Sequence, residues 1–423
     1  MTSEHPCDCP HSRGWSRRRF LQGLGLTAAA ATVGPMISSR AAYASTATWN
    51  GPILVVLSLR GGFDGLSAIA PIGDADYAAK RPTIAVPANL ALPTGDRRFG
   101  LHPALLPLKP LWDSGKMAAV HAVGTPDQTR SHFSATAELE RAAPGSSVRT
   151  GWLDRVLGAV GTGTVFEAVQ LGAGMPAPLL SGPAPALATN KLTDFALSNA
   201  DWIGPRMANT LRTLHTGTSL PAAAPALVTL AALDTTAAVV RAGLAPHNGA
   251  VYPANSSLAA ALTDAAALIR ANVGLQALTI DVGNWDMHAG LGAAGTGWMA
   301  ANLSDLAGSL AAFVKDLGST LTDRLTIVTV SEFGRRVTEN GSGGVDHGHG
   351  NAVLLLGGGL DGGKVHGQWP TLANAALDQG DLAGTTDYRN VLAECLERRF
   401  AMSASALSAV FPGLARTYPG AFT

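Results

Sequence analysis

Cysteine is nearly absent from this chain, which has three cysteines in 423 residues. Two of them, Cys7 and Cys9, lie close to the N-terminus, and Cys395 lies in the amphipathic stretch AECLERRF. A single thiol in the remaining chain excludes an internal disulfide framework and a metal site built from paired thiolates. We expect Cys395 to be a buried structural thiol.

Charged residues are also scarce, at 14% of the chain, compared with about 25% in an average domain. Removing the five arginines and two acidic residues of the first 44 positions from totals of 30 and 30 leaves 25 basic and 28 acidic residues. No basic stripe remains, which excludes nucleic acid as an expected partner. Because 47% of the residues are apolar, the composition favours a large buried core over a disordered chain.

The N-terminus has the pattern of an export signal. Residues 16–22 read SRRRFLQ, an apolar stretch follows over 23–37, and residues 42–44 read AYA. This order of basic, apolar and small-x-small segments predicts a twin-arginine signal peptide over 1–44. The apolar part is shorter than the about 20 residues of a membrane span, and Pro35 interrupts it, so we expect no stable membrane anchor. The implied partner is the twin-arginine translocase, and the implied location is periplasmic or extracellular.

Short apolar runs alternate with amphipathic segments along the rest of the chain. Strands are predicted at 52–59, 117–123, 165–171, 275–282, 324–330 and 352–356. Helices are predicted at 103–115, 129–141, 152–160, 298–317 and 387–402, with an interrupted helical pattern over 206–273. The alternation predicts an α/β fold, a three-layer α/β/α sandwich with a mostly parallel central sheet, in a single domain over 45–423. Residues 172–270 form either an inserted cap or outer helices.

Polar side chains of the type that bind metals follow several of these strands. The candidates are Asp64 in RGGFDG, Ser131 and His132 at a helix start, Asp286 and His288 in GNWDMH, Glu332 in SEFGR, and Asp346, His347 and His349 in DHGHG. Because the carboxyl ends of parallel strands lie along one edge, these residues are expected to converge there. Carboxylates mixed with imidazoles predict one or two divalent ions, Zn, Mn, Ca or Mg.

Each candidate also has an ordinary structural explanation. Asp64 suits a turn, and Ser131 suits a helix N-cap. Asp286 could cap a helix, and Glu332 could pair with a neighbouring arginine. His288 and the DHGHG segment could be exposed loop. The histidines that stand alone in the sequence are taken as structural, and they are His102, His121, His215, His247 and His366.

Six motifs together carry a resemblance to a known group of proteins: GGFDG, HPALLPL, SHF, GNWDMH, SEFGR and DHGHGN. They resemble the alkaline phosphatase and sulfatase superfamily. More closely, they resemble a twin-arginine-exported bacterial family within it that is catalogued as a domain of unknown function. The closer resemblance runs from about residue 52 to 415.

The resemblance implies an alkaline-phosphatase-like fold with metal ions at the C-terminal edge of the sheet. It implies Asp64 as a ligand after the first strand, Ser131 as the nucleophile and Asp286 with His288 as a ligand pair. Glu332 stands where the superfamily has the aspartate of a Ser-Asp-His-Gly turn, and His349 resembles the histidine before the last apolar strand. Phe333 occupies the place of an expected ligand histidine, so we expect Asp346 or His347 to supply that ligand.

These expectations favour an exported metal-dependent hydrolase of phosphate or sulfate esters, acting on a small-molecule or polymer ester. Ser131 would attack, His132 would serve as leaving-group acid or further ligand, and Arg130 or Arg335 would hold the non-bridging oxygens. The alternative is a metal-stabilised binding or assembly protein without turnover. A third possibility keeps the metal, uses a metal-bound water as nucleophile and leaves Ser131 as a helix cap.

Overall fold

The computed structural model describes residues 48–198 and 202–423. The predicted export signal at 1–44 lies outside the described residues. The described residues form one compact unit. Most of the predicted strands and helices are present, with ends displaced by a few residues.

A nine-stranded sheet lies at the centre of this unit, in the order β11-β5-β10-β9-β1-β8-β6-β7, and β12 also pairs with β5. Its strands are β1 (Ile53–Leu59), β5 (Met117–Gly124), β6 (Ala168–Leu171), β7 (Leu187–Thr189), β8 (Ala277–Val282), β9 (Leu325–Val330), β10 (Asn351–Gly357), β11 (Val365–His366) and β12 (Thr386–Asp387). Three short strands form a second sheet, β2 (Ile69–Ala70), β3 (Leu92–Pro93) and β4 (Gly100–Leu101).

All neighbouring strands of the central sheet are parallel except where β10 pairs with β9 and β5. The ends of β1, β8 and β9 therefore lie on one edge, and the start of β10 meets them there because β10 runs in the opposite direction.

Eleven α-helices occur in the described residues. They are α1 (Gly65–Ala68), α2 (Tyr77–Lys80), α3 (Lys109–Asp113), α4 (His132–Arg141), α5 (Trp152–Val160), α6 (Ile203–His215), α7 (Ala223–Ala242), α8 (Ser257–Arg270), α9 (Gly297–Thr322), α10 (Tyr388–Phe400) and α11 (Ala404–Val410). The predicted helix at 103–115 is a 3₁₀ helix, Pro103–Leu108, followed by α3.

Both faces of the sheet are covered, as the three-layer prediction requires. Successive side chains of β1 point to opposite faces. Val55 and Leu57 alternate with Leu54 and Val56, and the two pairs belong to different core clusters. The first cluster includes side chains of α8 and α9, and the second includes α5 and α10. The α/β/α architecture with a mostly parallel sheet is therefore confirmed.

Residues 172–270 contribute to this architecture rather than forming one separate body. Strand β7 pairs with β6 in the central sheet, and ten of the side chains of α8 are buried. Helix α6 has no buried residue. Within the described part of the chain, α7 alone is long and apolar enough to cross a membrane, which is weak evidence for a span.

A buried ion pair fixes the turn after β1. Asp64 is 1% exposed and Arg81 is fully buried. The guanidinium donates to both Asp64 oxygens, at 2.6 and 2.9 Å, and to the carbonyls of Arg336 and Val337. Burial raises the pKa of Asp64, but the charge of Arg81 outweighs it and holds the pKa below its usual value. The structure thus corrects the predicted role of Asp64, because both of its oxygens accept from Arg81 inside the core.

We expect Arg81→Met to destabilise the protein by about 3–5 kcal/mol, because it leaves a buried carboxylate without its partner. Urea denaturation followed by tryptophan fluorescence measures the loss. The control is Arg98→Met, which breaks an exposed pair with Asp96 and should change stability by less than about 0.5 kcal/mol. Equal stability of the two variants would contradict the assignment.

The same pair gives a pH dependence with a defined sign. Because the folded pKa of Asp64 is lowered, its contribution is complete above the unfolded value, about 3.9. It is lost as the pH falls further through the folded pKa. The difference in the free energy of unfolding between wild type and Arg81→Met should therefore become smaller as the pH falls below about 3.9.

Candidate metal centre

The segment after β8 presents two polar side chains to solvent. Trp285 and Met287 are buried, at 0% and 3% exposed. Asp286, which lies between them, and His288, which follows Met287, are exposed. The segment is held on both sides, since Trp285 N–H donates to the carbonyl of Arg60 and Val345 N–H donates to the carbonyl of Met287. Met287 N–H also donates to the carbonyl of Trp285 at 3.1 Å, so the chain turns tightly at Asp286. The turn leaves the Asp286 and His288 side chains within 3.0 Å of each other.

The SEFGR and DHGHG segments lie against each other as two arms of a tight hairpin. Gly334 N–H donates to the carbonyl of His349 at 2.8 Å, and Gly348 N–H donates to the carbonyl of Gly334 at 2.9 Å. A Cβ atom on Gly334 would lie 2.0 Å from the carbonyl oxygen of Gly350, and one on Gly348 would lie 2.5 Å from the backbone of Arg335. Glycine is required because the two arms approach this closely.

Four side chains converge where these segments meet the start of α4, and we call them the histidine cluster: His132, Asp286, His288 and His347. Asp286 Oδ1 lies 3.0 Å from His288 Nε2 and 3.3 Å from His347 Nε2. Asp286 Oδ2 lies 3.5 Å from His132 Nε2. The Nε2 atoms of His288 and His347 are 3.0 Å apart. His132, Asp286 and His347 each offer a ligand atom within 4.8 Å of the others.

Each imidazole of the histidine cluster bonds through Nδ1 to an oxygen atom of the protein. The pairs are His132 with Glu332 at 2.9 Å, His288 with Asp346 at 2.9 Å, and His347 with the carbonyl of Arg130 at 2.9 Å. A carbonyl or an ionised carboxylate can only accept, so Nδ1 carries the hydrogen in each ring. In the neutral imidazoles, all three Nε2 lone pairs are therefore turned inward.

This arrangement fits a metal ion. Two Nε2 lone pairs 3.0 Å apart repel each other unless a proton or a cation lies between them. His132 Nε2 is buried and has no hydrogen-bond partner within the described part of the chain. Ligands at zinc-type bond lengths in a tetrahedral site lie about 3.3 Å apart, close to the separations in the histidine cluster. Metal-bound histidines commonly donate their other N–H to a carboxylate or carbonyl, as these three do.

The charges of the site also suit a cation. Burial raises the pKa of Asp286, but the hydrogen bond and charge of Arg335 lower it below its usual value. The hydrogen bond from His288 lowers the pKa of Asp346. Burial lowers the pKa of His347, which favours the neutral ring. Around the site lie three carboxylates, those of Asp286, Asp346 and Glu332, and one guanidinium, that of Arg335. Their charges leave a sum of two negative charges, which a divalent cation would balance.

Phe333 packs against the histidine cluster without joining it. Its ring centroid lies 4.9 Å from that of His132 and 4.6 Å from that of His347. The side chain is 4% exposed. The phenylalanine that stands in the place of an expected ligand histidine thus packs against two imidazoles, and His347 from the next loop supplies a further imidazole beside Asp286.

Arg335 lies beneath the cluster and does not face solvent, because its side chain is 1% exposed. It donates to Asp286 Oδ1 at 2.6 Å and to four main-chain carbonyls, those of Gly61, Gly62, Trp285 and Val345. Its N–H groups are used within the protein, so the predicted grip on substrate oxygens is corrected: Arg335 holds Asp286 and the surrounding loops.

The remaining candidates lie at different distances from the cluster. His349 points away from it, since Nε2 lies 3.0 Å from the carbonyl of Thr125, so its predicted ligand role is corrected. Glu332, predicted as a ligand, holds His132 and accepts from Gly61 N–H at 2.8 Å. Asp346 likewise holds His288. Ser131 is exposed at the N-cap of α4, and its hydroxyl makes no capping bond.

A cleft of about 1010 Å³ adjoins the histidine cluster. His132, Asp286 and Glu332 line one part of it, and much of the rest is formed by α4, Arg149 and the turn at Pro178. Ser131 is not among the lining residues. Sequence reasoning missed the contributions of Phe133, Glu140 and Arg149, although the charged pattern AELER in α4 indicates a polar helix face.

Comparison with known proteins adds a family to this geometry. A family model described as "Protein of unknown function (DUF1501)" matches residues 113–390. The chain belongs to this family. The match includes β5, α4, the GNWDMH segment and both arms of the SEFGR–DHGHG hairpin, so the whole histidine cluster lies inside the DUF1501 region. No protein with a curated function matches the chain.

Among solved structures, the chain is similar to the lipoteichoic acid synthase LtaP from Listeria monocytogenes, at 8% sequence identity. The superposition covers 81% of this chain and 78% of the LtaP chain, with a TM-score of 0.33. A likeness of this size carries no argument about the DUF1501 site.

We expect His347→Ala to abolish stoichiometric zinc binding, because it removes one of the four converging ligand atoms. Glu332→Gln should weaken zinc affinity about 10- to 100-fold, since it alters the group that orients His132. Elemental mass spectrometry and competition with a chromogenic chelator measure both effects. The matched control is His349→Ala, two residues away and outside the cluster, which should bind zinc as the wild type does. Loss of zinc from His349→Ala alone would contradict the ligand set.

Proposed function

We propose that this protein is an exported, metal-dependent hydrolase of phosphate or sulfate esters. One observation carries the proposal: three imidazoles whose Nδ1 atoms are bound to protein oxygens turn their Nε2 atoms toward Asp286, beside an open cleft. The resemblance of the motifs to the alkaline phosphatase and sulfatase superfamily supports the reaction type.

The donor set favours zinc. His132, His288, His347 and Asp286 offer three nitrogen atoms and one carboxylate, whereas magnesium and calcium prefer oxygen ligands throughout. His132, Asp286 and His347 have ligand atoms within 4.8 Å of one another, which accounts for one ion, and His288 lies beside them. Among the described residues, Asp64 and His349 lie outside this set, so we propose one site where the sequence allowed one or two.

A bound divalent ion would supply a Lewis acid that polarises an ester oxygen and stabilises developing negative charge. The protein's own side chains would hold the ligands in position. Glu332 and Asp346 keep His132 and His288 in fixed tautomers, and Arg335 holds Asp286 in place. In the net reaction the P–O or S–O bond breaks, a water oxygen forms the new bond, and a proton from water leaves with the alcohol.

The nucleophile is the open part of this proposal. Ser131 immediately precedes a cluster residue and has a hydroxyl without a capping bond. It does not line the cleft. Attack by water therefore accords better with the geometry than attack by Ser131, and the role of Ser131 is decided by substitution.

A second function has support from the same observation. A protein that uses the ion to hold its loops together, for binding or assembly without turnover, would need the same histidine cluster and no nucleophile at Ser131. The packing of Phe333 against two of the imidazoles suits such a structural site as well. Export through the twin-arginine translocase and a periplasmic or extracellular location belong to either proposal, with no nucleic-acid partner and no stable membrane anchor.

We expect the zinc-loaded protein to hydrolyse 4-nitrophenyl phosphate or 4-nitrophenyl sulfate, and Asp286→Asn to lose at least about 100-fold in kcat/KM. This loss corresponds to about 2.7 kcal/mol of transition-state stabilisation. Release of 4-nitrophenolate measures turnover, and zinc content is determined on the same preparations.

Ser131→Ala separates the mechanisms within this assay. Turnover within a few-fold of the wild type supports attack by water, and loss of turnover with full zinc content assigns the nucleophile to Ser131. A zinc-loaded wild type that hydrolyses neither ester class, including alkyl esters, would overturn the hydrolase and leave the binding or assembly protein.

A further inference from the structure

Phe133 is exposed beside the histidine cluster. Its side chain is 90% exposed, more than any other large apolar side chain in the described part of the chain. It follows His132 directly and lines the cleft. Large aromatic side chains are usually buried in the protein. An exposed one that lines a cleft beside a candidate metal centre offers an apolar surface to a ligand.

The cleft extends from the histidine cluster along helix α4. His132 lies at its first turn and Arg141 at its last, and residues at both ends line the same cleft. Nine residues of helix at 1.5 Å each separate them by about 14 Å. A phosphate or sulfate group at the cluster would fill only one end, so the remainder is available to the organic part of an ester.

The cleft also contains a cation without an acidic partner. Glu138 pairs with Arg141, and Arg60 is shared by Glu140 and Asp281, so both of those arginines are already paired. Arg149 also lines the cleft and is exposed. Within residues 48–198 and 202–423 it has neither an ion pair nor a side-chain hydrogen bond, which leaves it available to an anionic group.

We propose that the cleft selects esters of a ring-bearing alcohol with a second anionic group. The ring lies on Phe133 and the second anion binds Arg149, while the phosphate or sulfate group lies at the histidine cluster. This inference rests on the proposed function and adds the substrate class to it. Phe133 and Arg149 are specificity residues, because they contact the part of the substrate that does not react.

Isothermal titration of the zinc-loaded protein with non-hydrolysable phosphonates tests the proposal. The probes are methylphosphonate, phenylphosphonate and 4-carboxyphenylphosphonate, which add first the ring and then the second anion. We expect the ring to improve affinity roughly three- to tenfold, the range of an aromatic contact. Phe133→Ala should remove that gain and leave methylphosphonate binding unchanged.

The carboxylate of 4-carboxyphenylphosphonate should add a further few-fold in affinity, and this gain should decrease as salt is added. Arg149→Gln should remove only this gain. The control is Arg98→Gln, an exposed arginine outside the cleft, which should behave as wild type. Because Phe133 and Arg149 are exposed, neither substitution should affect folding, and circular dichroism checks this.

The outcomes separate this inference from the function on which it rests. Equal affinity for methyl- and phenylphosphonate, or a ring advantage that survives Phe133→Ala, overturns the inference and leaves the hydrolase in place. Failure of every phosphonate to bind the zinc-loaded protein overturns the inference for phosphate esters, and the hydrolysis assay with both ester classes then decides the proposed function separately.

Discussion

The buried guanidinium of Arg335 is the contact on which the rest of the site depends. It reaches carbonyls after β1, after β8 and before β10, and it also donates to Asp286. Its planar arrangement of N–H groups fixes three loops relative to one another in a way that the single ammonium of lysine could not. The carbonyls it bonds would otherwise be buried without donors, at a cost of about 1–3 kcal/mol each. The positions of Asp286 and Val345 follow from this one side chain.

The buried pair of Asp64 and Arg81 acts in the same way on the neighbouring residues. Arg81 joins the turn after β1 to the carbonyls of Arg336 and Val337, which directly follow Arg335. Arg335 and Arg81 therefore both stabilise the SEFGR–DHGHG hairpin. The site is rigid because its loops are bonded to buried charges, although the loops themselves are rich in glycine.

Much of the fold could be predicted from the sequence, because apolar runs and helical periodicity identify strands and helices locally. Asp286, His288 and His347 could be placed at one edge because each follows or precedes a strand. Asp64 and His349 could not be assigned correctly. The partner of Asp64 lies 17 residues away, directly after the short helix α2, and no sequence pattern predicts that pairing. The direction of His349 depends on the bond between its carbonyl and Gly334, which exists only in the folded hairpin.

The reversed direction of β10 has a consequence for how the site is assembled during folding. In a wholly parallel sheet, each strand places only the residues after its end on this edge. Because β10 starts where β9 ends, the hairpin that joins them brings His347 and the supporting Glu332 and Asp346 to the site from one part of the chain, with a small loss of chain entropy. His132 and Asp286 join from far along the chain, since Glu332 lies 200 residues from His132 and His347 lies 61 from Asp286. Tight metal retention would thus be a property of the completed fold, and a chain that holds its ion reports that these distant segments have come together.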